Sequence, residues 1–176
     1  TPVPPKGGAR MAIRQRRAAM PEYRCASTVL AYMNFGTEFA SRAWAQRVLE
    51  DGKQLFLPKV DGVGKQLELY RVQDLSGQLR QSVWGIDEPV PERCERLIGL
   101  NAVEFATLPG LGFAKNGARL GYGGGFYDKL LARMLPHPVL VAPAYALQMV
   151  QEIPQQTTDV QVDWIVTEHE VIQCSK

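Results

Sequence analysis

Short apolar runs bounded by turn residues, several of them separated by helix-length amphipathic stretches, restrict the folds open to this 176-residue chain more than any other feature. Residues 28–34 (TVLAYMN), 54–60 (QLFLPKV), 102–108, 139–145 and 162–167 (VDWIVT) read as strands. Residues 66–72 set Leu67, Leu69 and Arg71 between polar partners and read as a half-exposed strand. Residues 9–19 form a basic helix stopped near Pro21, after an extended Pro- and Gly-rich start at 1–8. Phe39, Trp44, Val48 and Leu49 recur at helical spacing over 39–50, and Asp51-Gly52 ends that helix. Residues 82–95, with Gly85, Pro89 and Pro91, read as loop. Strands alternating with helices imply a single α/β domain spanning 1–176, built as three layers (α/β/α) with a mostly parallel central sheet covered on both faces. Ligands of such sheets bind beyond the carboxyl ends of the strands.

One segment stands at such a strand end. Arg119-Leu-Gly-Tyr-Gly-Gly-Gly-Phe-Tyr-Asp128-Lys129 carries Gly121, Gly123, Gly124 and Gly125, and a helix-like apolar run follows. Glycines let backbone N–H groups approach a ligand closely, and a helix starting there aims its unpaired N–H groups and positive dipole end at the same point. The combination suits phosphate. Arg119 and Lys129 add flanking charge, and Asp128 is placed to hold a metal or, equally, to serve as an acidic first-turn residue of the helix. Neither common phosphate signature fits. No Lys-Ser or Lys-Thr follows the glycines, and the third glycine of Gly-x-Gly-x-x-Gly is misplaced. A plain glycine-rich connection is the alternative reading.

Composition narrows the partners. Hydrophobic content of 45% and charged content of 22% are ordinary for a globular protein, and a net charge of +2 is too small for a nucleic-acid footprint. The basic stretch from Arg10 to Arg17 is local and reads as the solvated face of the first helix. Cys25, Cys94 and Cys174 are far apart and lack CxxC spacing, which fits reduced thiols in a cytoplasmic protein. His137 and His169 form no metal motif, and no apolar run reaches the length needed to span a bilayer. The expectation is a cytoplasmic monomer or weak dimer with no nucleic-acid or membrane partner.

Leu108-Pro-Gly-Leu-Gly-Phe113, followed by Gly117-Ala-Arg-Leu-Gly-Tyr-Gly-Gly-Gly-Phe-Tyr-Asp128, closely resembles the 5-formyltetrahydrofolate cyclo-ligase (methenyltetrahydrofolate synthetase) family. Other stretches agree in order: Lys6-Gly-Gly-Ala-Arg10 with Arg16, Phe35-Gly-Thr-Glu38, Leu57-Pro-Lys59, Trp84-Gly-Ile-x-Glu88-Pro89, Gln148, and Asp159-Val-x-Val-Asp163 followed by Thr167-Glu168. The resemblance covers nearly the whole chain. It implies a fold similar to the NagB/RpiA/CoA-transferase-like fold. It also implies ATP-dependent ring closure of 5-formyltetrahydrofolate, with or without a polyglutamate tail, to 5,10-methenyltetrahydrofolate, through a phosphorylated formyl (N-imidoyl phosphate) intermediate.

The resemblance assigns roles residue by residue. ATP is held by Lys6, Arg10, Arg119, Leu120, Gly121, Tyr122, Gly123, Gly124, Gly125, Phe126 and Tyr127. Folate meets Met33, Glu38, Tyr122, Gly123, Gly124, Gly125 and Phe126. Arg119, Tyr122 and Phe126 act on the reacting groups. Asp128 and Asp159 hold Mg²⁺, with Asp163 as a second choice for Asp159. On residue type alone, Met33 reads as core, and Lys6 and Arg10 as solvated helix cations. Ala114 stands where many relatives carry Asp, and Phe126 where Tyr is usual, so two polar contacts are missing. Relatives carry roughly a helix more between the basic segment and the first strand, so the junction of Ser27 and Thr28 is expected to be a break in the chain or a genuine deletion. Two other readings stand beside the ligase: a non-catalytic module binding nucleotide, folate or RNA, and a sugar-phosphate or CoA enzyme on a similar sheet.

Overall fold

The computed structural model describes residues 7–33, 41–121 and 123–176. In chain order the helices are α1 (Gly7–Ala19), α2 (Pro21–Cys25), α3 (Arg42–Glu50) and α4 (Phe126–Ala132). The strands are β1 (Thr28–Leu30), β2 (Gln54–Asp61), β3 (Gln66–Val72), β4 (Leu79–Gln81), β5 (Asp87–Pro89), β6 (Glu95–Arg96), β7 (Phe105–Thr107), β8 (Gly112–Phe113), β9 (Arg119–Leu120), β10 (Val139–Pro143), β11 (Trp164–Val166) and β12 (Val171–Gln173). Eight of them make one sheet in the order β12-β11-β10-β7-β1-β2-β3-β6. Its centre, from β11 to β2, is parallel, and its two edges are antiparallel. The α/β architecture with a mostly parallel sheet agrees with the sequence.

Successive side chains of a strand point to opposite faces, and here that alternation sorts the core into two layers. Val29, Leu55, Leu57, Phe105, Val141 and Val166 join Ile13, Tyr23, Trp44 and Val48 from α1, α2 and α3 on one face. Leu30, Phe56, Ala106, Leu140, Ala142 and Ile165 join Leu130, Leu131 and Met134 from α4 and the residues after it on the other. Runs that looked uniformly apolar are therefore central strands covered twice.

The differences from expectation have local causes. Gly7 and Gly8 are helical, not extended. Met20 leaves the helix, and Pro21 opens a second short one, where a missing N–H costs nothing. Arg17 departs from the solvated-face reading: it is 1% exposed, its guanidinium 4.1 Å above the Trp44 ring. β1 ends at Leu30; the Ala31 N–H still donates to the Phe56 carbonyl at 3.0 Å, and the chain then turns off the sheet. β2 runs through Pro58 and Lys59 to Asp61, one residue past the expected end. Residues 82–95 hold β5 and a short 3₁₀ turn within the expected loop. At the junction of Ser27 and Thr28, the Ser27 carbonyl accepts from the Gln54 N–H at 2.9 Å and Thr28 pairs with Gln54, so α2 feeds β1 directly.

Candidate active site

The carboxyl ends of β1, β2 and β7 open onto one cleft of about 1320 Å³. Tyr32 and Met33 come from beyond β1, Pro58 and Val60 from β2, and Pro109 from beyond β7. Over these ends lie the glycine loop with α4, the β4–β5 hairpin, and the segment 153–160.

The β8–β9 hairpin delivers the glycine loop. Its turn closes with the Ala114 N–H donating to the Ala118 carbonyl at 3.0 Å, and Gly117 sits at φ +90°. A Cβ on Gly117 would stand 2.4 Å from the Val162 carbonyl, so only glycine lets the hairpin seat against that strand entry. After β9 the chain reaches Gly125 at φ +66°, the residue that caps α4. The Phe126 ring lies over Gly124, where a Cβ would come within 2.8 Å of it.

Arg119 is the hub. Its side chain is 7% exposed, and it holds Asp128 at 3.5 Å while donating to the Pro109 carbonyl at 3.0 Å. It also lies 5.8 Å from the Tyr127 ring centroid. Its Nε is buried with no hydrogen-bond partner among the described residues. A buried donor of this kind is costly until an acceptor meets it. The Asp128 carboxylate in turn accepts the Val160 N–H at 3.1 Å, which brings the peptide following Asp159 against α4. Asp159 accepts the Gln156 N–H at 2.9 Å and so closes its own loop. Both aspartates line the cleft.

Several expected residues lie elsewhere. Arg10 is not among the cleft-lining residues; its Nε donates to the Tyr145 hydroxyl at 2.9 Å. Asp163 caps the start of β10 by accepting the Leu140 N–H at 2.8 Å and also meets Lys176. Gln148 accepts the Tyr145 N–H and donates to the carbonyls of Gly110 and Leu111, tying the turns after β10 and β7 together. Ala114 is buried with Ala118 and Ile153, away from solvent. Lys6, Glu38 and Tyr122 lie outside the described residues. Leu120, Gly121, Gly123, Gly124, Gly125, Phe126 and Tyr127 line the cleft with Met33.

Sequence reasoning had assigned no site role to the β4–β5 hairpin or, apart from Asp159, to the polar segment 153–160. Glu88 fastens the hairpin to β2 by accepting the Val60 N–H at 3.0 Å and pairing with Lys59 at 3.5 Å. The Trp84-Gly-Ile-x-Glu88 string carried the signal, a large aromatic and a carboxylate set around a turn glycine.

These features define an α/β protein whose ligand cleft lies at the carboxyl edge of a mostly parallel sheet. The chain belongs to the 5-formyltetrahydrofolate cyclo-ligase family, whose model matches residues 6–168, and it is an enzyme of that family. The 5-formyltetrahydrofolate cyclo-ligase of Haemophilus influenzae is 29% identical over 153 residues, spanning 86% of this chain and 81% of its own. That of Mus musculus is 26% identical over 163 residues, spanning 89% and 80%. The solved 5,10-methenyltetrahydrofolate synthetase of Aquifex aeolicus superposes with a TM-score of 0.81 at 32% identity, covering 95% of this chain and 81% of that one. The Mycoplasma pneumoniae synthetase shares the fold, with a TM-score of 0.70 at 19% identity over 91% of this chain and 85% of that one.

Proposed function

We propose that this enzyme closes 5-formyltetrahydrofolate to 5,10-methenyltetrahydrofolate at the expense of ATP. The formyl oxygen attacks the γ-phosphorus, and ADP leaves. The N10 amine then attacks the activated formyl carbon, and the oxygen departs with phosphate. An amide-like oxygen is a poor leaving group until it is phosphorylated, so the protein's task is positioning and charge neutralisation.

The observation that carries this reading is the shared cleft, in which a glycine loop, a buried guanidinium with an open Nε donor and two aspartates converge. Arg119 is fixed by Pro109 and Asp128 before any ligand arrives, so its charge faces transferring phosphate without reorganisation. The loop glycines line the same cleft, where their N–H groups would meet phosphate oxygens. Among the described residues no group of three or more His, Cys, Asp or Glu is placed to hold a metal. Mg²⁺ takes one or two carboxylates and completes its shell with phosphates and water, so two aspartates are enough. Asp128 and Asp159 each keep a carboxylate oxygen without a hydrogen bond among the described residues and would hold the ion. When bound it would neutralise phosphate charge. Cytoplasmic location, and Lys6, Met33, Glu38 and Tyr122 as ligand contacts, belong to the same proposal.

The test is the near-ultraviolet absorbance of methenyltetrahydrofolate formed from 5-formyltetrahydrofolate, ATP and Mg²⁺. Product that requires all three supports the reading. A folded protein that binds nucleotide or folate and makes no product overturns it and leaves a binding module. Asp128→Asn keeps the acceptor for Val160 while removing the charge, and should lower kcat at least about a hundredfold with an unchanged urea midpoint. Loss of fold instead would make Asp128 structural.

A further inference from the structure

We infer that Gln148 is a positioning residue for Arg119, holding the turn whose carbonyl aims the guanidinium into the cleft; the inference rests on the proposed role of Arg119 at phosphate. Gln148 does not line the cleft. It ends the 3₁₀ turn after β10 (Ala146–Gln148) and reaches across to the turn after β7. Three consecutive carbonyls of that second turn are gripped. The Pro109 carbonyl accepts from Arg119 at 3.0 Å, and the Gln148 Nε2 donates to the Gly110 and Leu111 carbonyls at 3.3 and 3.4 Å. Residues 108–110 belong to no strand or helix, and Pro109 has no N–H to anchor it. The ends of the turn are tied by the Leu108 N–H on the Val141 carbonyl and the Leu111 N–H on the Leu120 carbonyl. Gln148 fixes the peptides beyond Pro109. Gly110 passes that position on, because a Cβ there would stand 2.9 Å from the Arg119 Cγ and 2.7 Å from the Phe113 ring. With its backbone against the arginine stem, a shift of this turn is a shift of Arg119.

The brace is itself held from behind. The Gln148 Oε1 accepts the Tyr145 N–H at 2.8 Å, and the Ala146 N–H donates to the Glu168 carboxylate. Arg16 donates to the Glu168 carbonyl at 2.6 Å, and Arg10 to the Tyr145 hydroxyl at 2.9 Å. Arg10, Arg16, Gln148 and Glu168 are motif residues that do not line the cleft. Together they form one connected support from α1 and the end of β11, through Gln148, to Arg119. A preorganised charge acts on phosphate only as well as its supports hold it.

Gln148→Met keeps the length of the side chain and removes its donor and acceptor. It should lower kcat/KM for ATP about tenfold, the order of loss expected from a slightly misplaced group. KM for 5-formyltetrahydrofolate should stay within about a factor of two. Gln148→Glu keeps the acceptor for the Tyr145 N–H but not the donor, so it should show the same loss, and it replaces Gln148→Met if that variant does not fold. In an Arg119→Ala background either substitution should cost less than about a further factor of two, since no guanidinium is left to position. Calorimetry with a non-hydrolysable ATP analogue repeats this cycle as affinity. A full further loss in the Arg119→Ala background, an equal rise in both KM values, or wild-type use of ATP by a folded variant overturns the inference. Failure of both variants to fold makes Gln148 structural and overturns it too. A wild type that binds the analogue without making product overturns the proposed function alone, and the affinity cycle still decides the role of Gln148. A wild type that does neither overturns both.

Discussion

Two guanidinium groups are withdrawn from water in this molecule, and their surroundings differ in the one respect that decides function. Arg17 is enclosed between α1 and α3, over the Trp44 ring and among Tyr23 and Tyr32, with no opening to the cleft. Burial lowers its pKa to about 9, with the Tyr32 and Tyr23 hydroxyl groups opposing. Arg119 is nearly as buried, yet it is held by a carboxylate and a carbonyl and lines the cleft. Burial of charge is therefore no marker of a site by itself. A charge fixed by partners on one side and open to a ligand on the other is.

The comparison breaks most visibly at Arg119. Arg119→Ala should lower kcat/KM for ATP by about 10²–10³, the usual effect of removing one preorganised donor. The vacated space opens onto the cleft and fills with water, so the urea-derived stability should fall by less than about 1.5 kcal/mol. Equal damage to both arginine variants in the kinetic assay would erase the distinction. Arg17→Ala should do the reverse. A large side chain lost from an enclosed core costs about 3 kcal/mol, read from the urea midpoint, while kcat/KM per folded molecule stays within a factor of two.

The smallest effect is a pH dependence. A folded pKa of about 9 lies below the unfolded value of 12.5 for Arg17. Above about pH 9 the unfolded chain then binds more proton than the native one, and this group's contribution to stability rises with pH. Tyr23, raised above its ordinary 10.0 first by desolvation and then by its hydrogen bond to Asp51, works the other way above pH 10. Between pH 8.5 and 10, wild type should therefore gain about 1 kcal/mol relative to Arg17→Met. A flat difference would mean that Arg17 stays charged throughout.

Much of the sheet was legible because its central strands carry Val, Leu, Ile and Phe on both faces, a pattern that turn residues bracket clearly. The expected ends ran long where the chain leaves the ladder to build the cleft. Tyr32 and Met33 continue the apolar run of β1 but line the cleft outside the strand. Tyr145 follows β10 as the cap of a 3₁₀ turn, its N–H bonded to Gln148. β12 and the β4–β5 and β8–β9 hairpins were illegible because they are two or three residues per strand and depend on partners distant in sequence or on turn geometry. Arg17 read as solvated because helical spacing alone does not say that Trp44 from another helix will cover it. At the site, the glycine loop, Arg119, Asp128 and Asp159 were visible as residue types. That Val160 would tie the last two together was not, since a backbone N–H carries no sequence signal.

The register of the central sheet also sets an order of assembly. β1 at residues 28–30 pairs with β7 at 105–107, which pairs with β10 at 139–143, and β11 at 164–166 follows. Such distant segments close large loops and meet slowly, whereas the β2–β3 hairpin joins neighbours through a short turn and forms early. The cleft spans both kinds of contact. Its Pro58, Val60 and Leu67 lining stands on the early hairpin, and its Arg119 hub stands over the late strands. The newly made chain therefore owns the apolar end of the cleft before it owns the charged end, and the cleft is whole only when the late strands have paired.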